Sequence, residues 1–255
     1  MPKERRNRIR EMLSEKPFVS LKELEECFPD VTSMTLRRDI DFLEKKGDLI
    51  KVRGGARSMK FLTTSMEDDF GKRLHESTEE KSRIAETAAA LIRSNRSVFV
   101  DSGTTALALA SAIPDERITF TTTGPHVALE LAKKQKTIVN LVGGMINRDN
   151  LSVSGMQAVK FIGDINIDVA FIVPSAVSSE SGFSCGNYSE CELKKVVLGK
   201  ARRKILLMDS SKFGKSLPYT FGFPEDIDVL ITDSELPDEF RRVLEQNGVE
   251  VCIAK

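Results

Sequence analysis

This chain of 255 residues contains no tryptophan and only two tyrosines. Readers of single-stranded nucleic acid stack bases on exposed aromatic rings, so an RNA-binding adaptor of that kind is disfavoured. Histidine is nearly as scarce, with only His75 and His126. The four cysteines, Cys27, Cys185, Cys191 and Cys252, form no Cys-x-x-Cys pair. Neither a metal site nor a disulfide framework is expected from such a set, whereas reduced thiols in a cytoplasmic protein are. No apolar run reaches membrane-spanning length, and Met-Pro-Lys-Glu-Arg-Arg leads into no signal-like segment. A soluble cytoplasmic protein with no membrane partner is the expectation. Repeats and low-complexity tracts are also missing. So is net charge, since 38 Lys+Arg meet 38 Asp+Glu.

That neutrality is a sum of two unlike parts. Residues 1–60 hold 15 Lys+Arg against 11 Asp+Glu, and the remainder holds 23 against 27. The pattern is a basic module on an acidic body, which points to an anionic partner for the front of the chain. Hydrophobic residues make up 40% of the chain, enough for a substantial core.

The basic module reads as three helices and a hairpin. Ile9, Met12 and Leu13 give residues 3–16 one apolar side, and Pro17 stops that helix. Ser20 with Glu23 is a capping box for a second helix carrying Leu21, Leu24 and Phe28. Thr32 caps a third, with Leu36, Ile40 and Leu43 as its buried stripe and Gly47 at its end. Leu49 to Ala56 then reads as strand, Gly54-Gly55 turn and return. This is a winged helix-turn-helix. Its third helix presents Ser33, Thr35, Arg37 and Arg38, which suit base edges and phosphates in a major groove. Lys51, Arg53 and Arg57 on the wing suit phosphates. The bland alternative for Arg37 and Arg38 is a set of solvated ion pairs with Asp39, Asp41 or Glu44.

Residues 58–77 lack periodicity and read as a linker. From 78 to 255 a second rhythm follows. Apolar runs at 98–100, 118–121, 137–142, 167–173, 204–208, 227–231 and 249–253 alternate with helical segments near 79–93, 104–112, 125–134, 187–201 and 237–246. Alternation of this kind predicts an α/β domain built on a mostly parallel sheet covered on both faces. Asp101, Ser102, Gly103, Thr104 and Thr105 follow one such strand and open a helix. A helix N-terminus offers unpaired N–H groups and the positive end of a dipole, and both suit a phosphate. Asp209 and Lys212 follow another strand, where Lys212 suits a phosphate and Asp209 a sugar hydroxyl. Glu190 and Lys194 are four apart on a helix, and as a surface ion pair they would contribute only ~0.3–0.5 kcal/mol. Gly143-Gly144 reads as a loop former, His126 as a structural or partly exposed histidine, and Cys185 and Cys191 as inert thiols, with redox sensing as the alternative.

The motifs Val31-Thr32-Ser33-Met34-Thr35-Leu36-Arg37-Arg38-Asp39-Ile40 and Arg53-Gly54-Gly55-Ala56 resemble the N-terminal domain of DeoR-type bacterial transcriptional regulators. Asp101-Ser102-Gly103-Thr104-Thr105, Gly143-Gly144, Glu190 with Lys194, and Asp209-Ser210-Ser211-Lys212-Phe213-Gly214 continue the likeness. The resemblance implies a C-terminal sugar-phosphate sensor related to ribose-5-phosphate isomerase and glucosamine-phosphate deaminase. It also implies that Glu190 and Lys194 face the effector pocket. Two places depart from the family pattern. Thr122-Thr123 stands where Thr-Asn is usual, and Val173-Pro174 where a glycine often follows the strand. Both bear on which effector binds. The expected function is a repressor of a carbohydrate operon, bound to double-stranded operator DNA as a homodimer or homotetramer and released by a phosphorylated sugar. No catalytic residue, cofactor or metal is expected. The competing class is a phosphosugar isomerase-type enzyme with a nucleic-acid-binding appendage, in which these carboxylates and lysines transfer protons.

Overall fold

Ile9 and Leu13 stand about one turn apart, and burying both fixes the inner side of α1 (Pro2–Glu15). The computed structural model describes residues 2–16, 18–52, 54–58, 69–234 and 236–255. They form two compact units, the first made of 2–58 with 214–216 and the second of 69–213 with 217–255.

In the first unit α1 is followed by β1 (Phe18–Ser20), α2 (Leu21–Cys27), α3 (Ser33–Lys45), β2 (Leu49–Val52) and β3 (Gly55–Ser58). The capping box is present. Glu23 N–H donates to Ser20 Oγ at 3.1 Å, and Ser20 N–H donates to the Glu23 carboxylate at 2.8 Å. The Ser20 backbone bond, joined by Lys16 at 2.9 Å, holds the Glu23 carboxyl down at about 2. At the far end of α3, Gly47 N–H reaches Glu44 O and Asp48 N–H reaches Leu43 O, which satisfies two of the last carbonyls. The wing is a three-stranded antiparallel sheet in the order β1-β3-β2, so β1 joins the hairpin the sequence predicts. Gly55 makes that possible, because a Cβ there would lie 2.2 Å from Val19 O of β1. Ile9, Leu13, Val19, Leu24, Leu36, Ile40, Leu43, Leu49 and Ala56 are buried together. The larger of these side chains each contribute roughly 1.5–3 kcal/mol by leaving water.

In the second unit all seven predicted apolar runs become strands of one parallel sheet. They are β4 (Ser97–Val100), β5 (Thr119–Thr122), β6 (Ile138–Leu141), β9 (Ile167–Ile172), β12 (Ala201–Met208), β14 (Val229–Thr232) and β15 (Glu250–Ile253). Their order is β15-β14-β12-β9-β4-β5-β6. Alternation along each strand feeds two cores. Val98, Val100, Phe171, Ile205 and Leu207 pack with α5 (Thr78–Ala89), α6 (Thr104–Ala112) and α7 (Pro125–Leu131). Phe99, Ile172, Leu206 and Met208 pack with α8 (Met156–Gly163), α9 (Tyr188–Lys200) and α10 (Asp238–Gln246). Burial on both faces explains the apolar runs of the inner strands such as β4 and β14, whereas the edge strands β6 and β15 are only partly buried.

Several short elements go beyond the sequence reading. Helix α4 (Phe70–His75) lies inside the stretch expected to be linker, with Phe70 buried. A hairpin of β7 (Met145–Ile146) and β8 (Val153–Ser154) carries the Gly143-Gly144 loop. A small antiparallel sheet, β10 (Ala176–Ser178), β11 (Gly182–Cys185) and β13 (Tyr219–Gly222), sits beside the main one in chain order. The main sheet runs one way from β4 to β6 and the other way through β9 to β15. The reversal falls between β4 and β9, and ligands of open α/β sheets bind at the carboxyl ends of the strands at such a point.

Candidate DNA-reading face and effector cleft

Arg37 and Arg38 lie on the exposed side of α3. The three carboxylates of the same helix are engaged elsewhere. Asp39, 2% exposed, receives Arg5 Nε on one oxygen and Arg6 Nε on the other at 2.6 Å. Asp41 holds Lys51 Nζ at 2.5 Å, and Glu44 accepts the Lys51 N–H at 2.8 Å. Among the described residues neither Arg37 nor Arg38 has an ion-pair partner, which removes the bland alternative. The remaining candidates divide. Ser33 Oγ donates to Glu25 at 2.5 Å, and Thr35 Oγ1 shares a hydrogen bond with Thr32 Oγ1 at 3.0 Å. Lys51, expected to be free for phosphate, is half-exposed in its pair with Asp41. Arg53 lies outside the described residues. A groove lined by Arg37, Lys51, Val52 and Gly54 runs between α3 and the wing.

In the second unit Asp101 ends β4 and is 1% exposed. Its Oδ1 accepts Ser102 N–H at 2.8 Å and Thr123 Oγ1 at 3.4 Å. Its Oδ2 accepts Val173 N–H at 2.9 Å and the Lys194 ammonium. Lys194 also donates to Val173 O at 2.9 Å and meets Glu190 Oε1 at 3.2 Å. Glu190 Oε2 accepts Asn150 Nδ2 at 2.6 Å and Ser152 Oγ at 3.3 Å. Burial works against the Lys194 charge, but Asp101 and Glu190 outweigh it and hold the ammonium above the ordinary lysine range. Glu190 and Lys194 are thus an interior pair joined to Asp101, not the surface pair that their spacing alone describes. Thr123 and Val173, the two places where the sequence departs from the family pattern, both touch Asp101.

The next residues lie beyond the carboxyl end of β4, at the reversal point of the sheet. Gly103 has φ +104°, a conformation that side chains disfavour, and it precedes α6 with no side chain capping the helix. The N–H groups of the first turn and the hydroxyls of Ser102, Thr104 and Thr105, all largely buried, are gathered there. Beyond β9, at the end of β12, lies a second cluster. Asp209 Oδ1 accepts Ser211 N–H at 3.1 Å, while Asp209 Oδ2 and Thr232 Oγ1 are buried and lack a hydrogen-bond partner among the described residues. Lys212 is half-buried with no carboxylate partner among the described residues. The expected effector residues therefore fall in two groups, one around Asp101 and one around Asp209, with strand β9 between. Two strand spacings separate the groups, about 10 Å.

Sequence reasoning missed Asn150, Ser152 and Lys81, since nothing in their spacing marks them. His126 is exposed, with its ring stacked on Phe70 at 5.1 Å. Burial pushes the Cys185 and Cys191 thiols up, away from the reactive thiolate form. No helix among the described residues is long and apolar enough to cross a membrane.

A winged helix-turn-helix with two unclaimed arginines, carried on the same chain as a doubly wound α/β unit with an uncapped helix N-terminus at its reversal point, defines a DNA-binding regulator with its own sensor. The chain belongs to the DeoR family: residues 5–61 match the DeoR-like helix-turn-helix domain and residues 76–234 the DeoR C terminal sensor domain. It is 31% identical to the HTH-type transcriptional regulator GolR of Listeria innocua, over 100% of this chain and 99% of that one. It is 28% identical to the glycerol-3-phosphate regulon repressor of Escherichia coli, over 97% of each chain. The putative aga operon transcriptional repressor of Escherichia coli O157:H7 is 30% identical, over 98% of this chain and 93% of that one. Among solved structures, ribose 5-phosphate isomerase A from Methanocaldococcus jannaschii overlaps 52% of this chain and 53% of its own, with a TM-score of 0.38 and 14% identity.

Proposed function

We propose that this regulator represses a carbohydrate operon and is released from its operator by a phosphorylated sugar, acting in the cytoplasm as a homodimer or homotetramer. The observation that carries this reading is the uncapped N-terminus of α6 behind Gly103, at the reversal point of the sheet, with Lys212 unclaimed nearby in the chain's second polar cluster. Unpaired N–H groups at the positive end of a helix dipole favour a phosphate. Asp209 and Thr232 supply buried acceptors for sugar hydroxyls. The names carried by the relatives, a glycerol-3-phosphate regulon repressor and an aga operon repressor among them, point the same way.

The enzyme reading is disfavoured by the state of the carboxylates. Both oxygens of Asp101 and both of Glu190 are occupied by fixed donors, so neither is free to take a proton from a substrate carbon. Asp209 Oδ2 is the observation in its favour. Incubating the protein with ribose 5-phosphate distinguishes the two, since turnover above background would establish the enzyme. For the repressor, a thermal-shift panel of sugar phosphates finds the effector. Lys212→Ala should then weaken effector binding about tenfold or more, the loss of one charge-assisted hydrogen bond, with operator affinity unchanged. An unaltered effector response removes Lys212 from the site.

A further inference from the structure

Lys81 is the buried cation that the effector cleft leaves unused. It sits on α5, is 4% exposed, and has no carboxylate within ion-pair distance among the described residues. Its ammonium instead donates to two backbone carbonyls, Arg73 O at 2.5 Å and Glu76 O at 2.6 Å. The first belongs to the last turn of α4, where it also accepts the Glu76 N–H at 3.4 Å, and the second to the residue that caps the helix. An ammonium carries three N–H donors, so one remains. The charged groups close enough to act on it are Asp209, Lys212, Arg73 and Glu76. Thr104 of α6 shares with it the wall of a groove of about 580 Å³ between α5 and α6. Lys81 therefore ties the C-terminal end of α4 to α5, beside Thr104 of α6 and within electrostatic reach of Asp209 and Lys212.

The other end of α4 is tied to the same cleft. Phe70 N–H donates to Asp149 O at 2.8 Å, and the Phe70 ring stacks on His126, the second residue of α7. Asn150, the next residue after Asp149, holds Glu190 of the Asp101 network. A helix of six residues has little stability of its own, so these ties keep it folded. In the chain, α4 is the element of the sensor unit nearest to the DNA-reading unit.

We propose that Lys81 is a further anion-binding residue of the effector cleft, and that through it a bound phosphate tightens the hold on α4. This rests on the proposed reading of the cleft as a phosphosugar site. A phosphate against the third N–H supplies the countercharge that burial denies Lys81. Whatever favours the ammonium charge favours its bonds to Arg73 O and Glu76 O. By linkage, α4 and the anion then stabilise each other in equal measure. Lys81 is in this sense a positioning residue for α4 as well as a ligand.

Hydrogen exchange on the full chain tests this, with inorganic phosphate, glycerol 3-phosphate and ribose 5-phosphate as probes. In the native protein a bound probe should slow exchange of amides 70–76 at least about fivefold, the low end of intersite coupling. Lys81→Met should abolish that slowing while residues 102–106 and 209–212 still respond to the probe at higher concentration. Lys81→Arg should restore it. If 102–106 and 209–212 respond in the native protein and 70–76 do not, the proposal is overturned and the phosphosugar reading stands. A Lys81→Met protein that keeps the response in 70–76 overturns it equally, again leaving the phosphosugar reading in place. If no probe slows exchange anywhere in the sensor unit, the phosphosugar reading falls, and this proposal with it.

Discussion

Lys194 sits where three segments far apart in the chain meet: it binds Asp101 at the end of β4, the backbone of Val173 after β9, and Glu190 one turn before it on α9. Removing it would leave two buried carboxylates without their cation. Lys194→Met should therefore destabilise the sensor unit by about 3–5 kcal/mol, measured by urea unfolding at neutral pH. A loss under about 1 kcal/mol, the range of surface pairs, would mean that the network contributes little. Only half of this arrangement is legible in the sequence. Glu190 and Lys194 are four apart and announce a pair, but Asp101 is 93 positions from Lys194, and nothing local links them. Lys81 is less visible still. A lone lysine in a helical run reads as solvated, and its burial is decided by α4, which packs over it from a stretch without periodicity.

Among the elements, α2 has the most measurable cap. Glu23 is held at about 2 in the folded protein, against an ordinary value of 4.5. A depressed carboxyl stabilises the fold above its unfolded value, and that contribution is lost as pH falls through the folded one. Glu23→Gln should thus melt earlier than the native protein at pH 7. The gap should narrow between pH 4.5 and about 2, and be gone below that. A gap that stays constant with pH would assign the effect to the hydrogen bonds alone. The elements that the sequence announces are those with a long period or an unbroken apolar run. Inner strands of the main sheet such as β4 and β14 are of the second kind, and α3 of the first. The missed ones are short. Phe18–Ser20 has three residues wedged between helices, and Phe70–His75 has six. Their places come from partners distant in sequence, such as Gly55 alongside Val19.

For the whole molecule, the balance of charge decides how DNA is held. A net charge of zero gives no general attraction to a polyanion, so binding must come from the basic front unit and weaken with salt in proportion to the phosphates it neutralises. One winged helix reaches few base edges, and the proposed homo-oligomer would set further copies on repeated half-sites. In sedimentation at working concentration the protein should run as a dimer or tetramer, and its footprint should contain repeated half-sites spaced by whole helical turns. Arg37→Ala and Arg38→Ala should each weaken operator binding, by ~1–3 kcal/mol per half-site for whichever reads a base. Unchanged affinity for both would reject α3 as the recognition helix.

The buried position of Asp39 has a consequence for how such a protein diversifies. Its charge is answered by Arg5 and Arg6 from the opening helix, so the arginines that precede it on α3 owe nothing to the interior. With Arg37 and Arg38 as the proposed base readers, the side chains that choose an operator and those that bury Asp39 are separate sets. Substitutions at 37 and 38 should then change the promoter that is bound while the melting behaviour stays as it was.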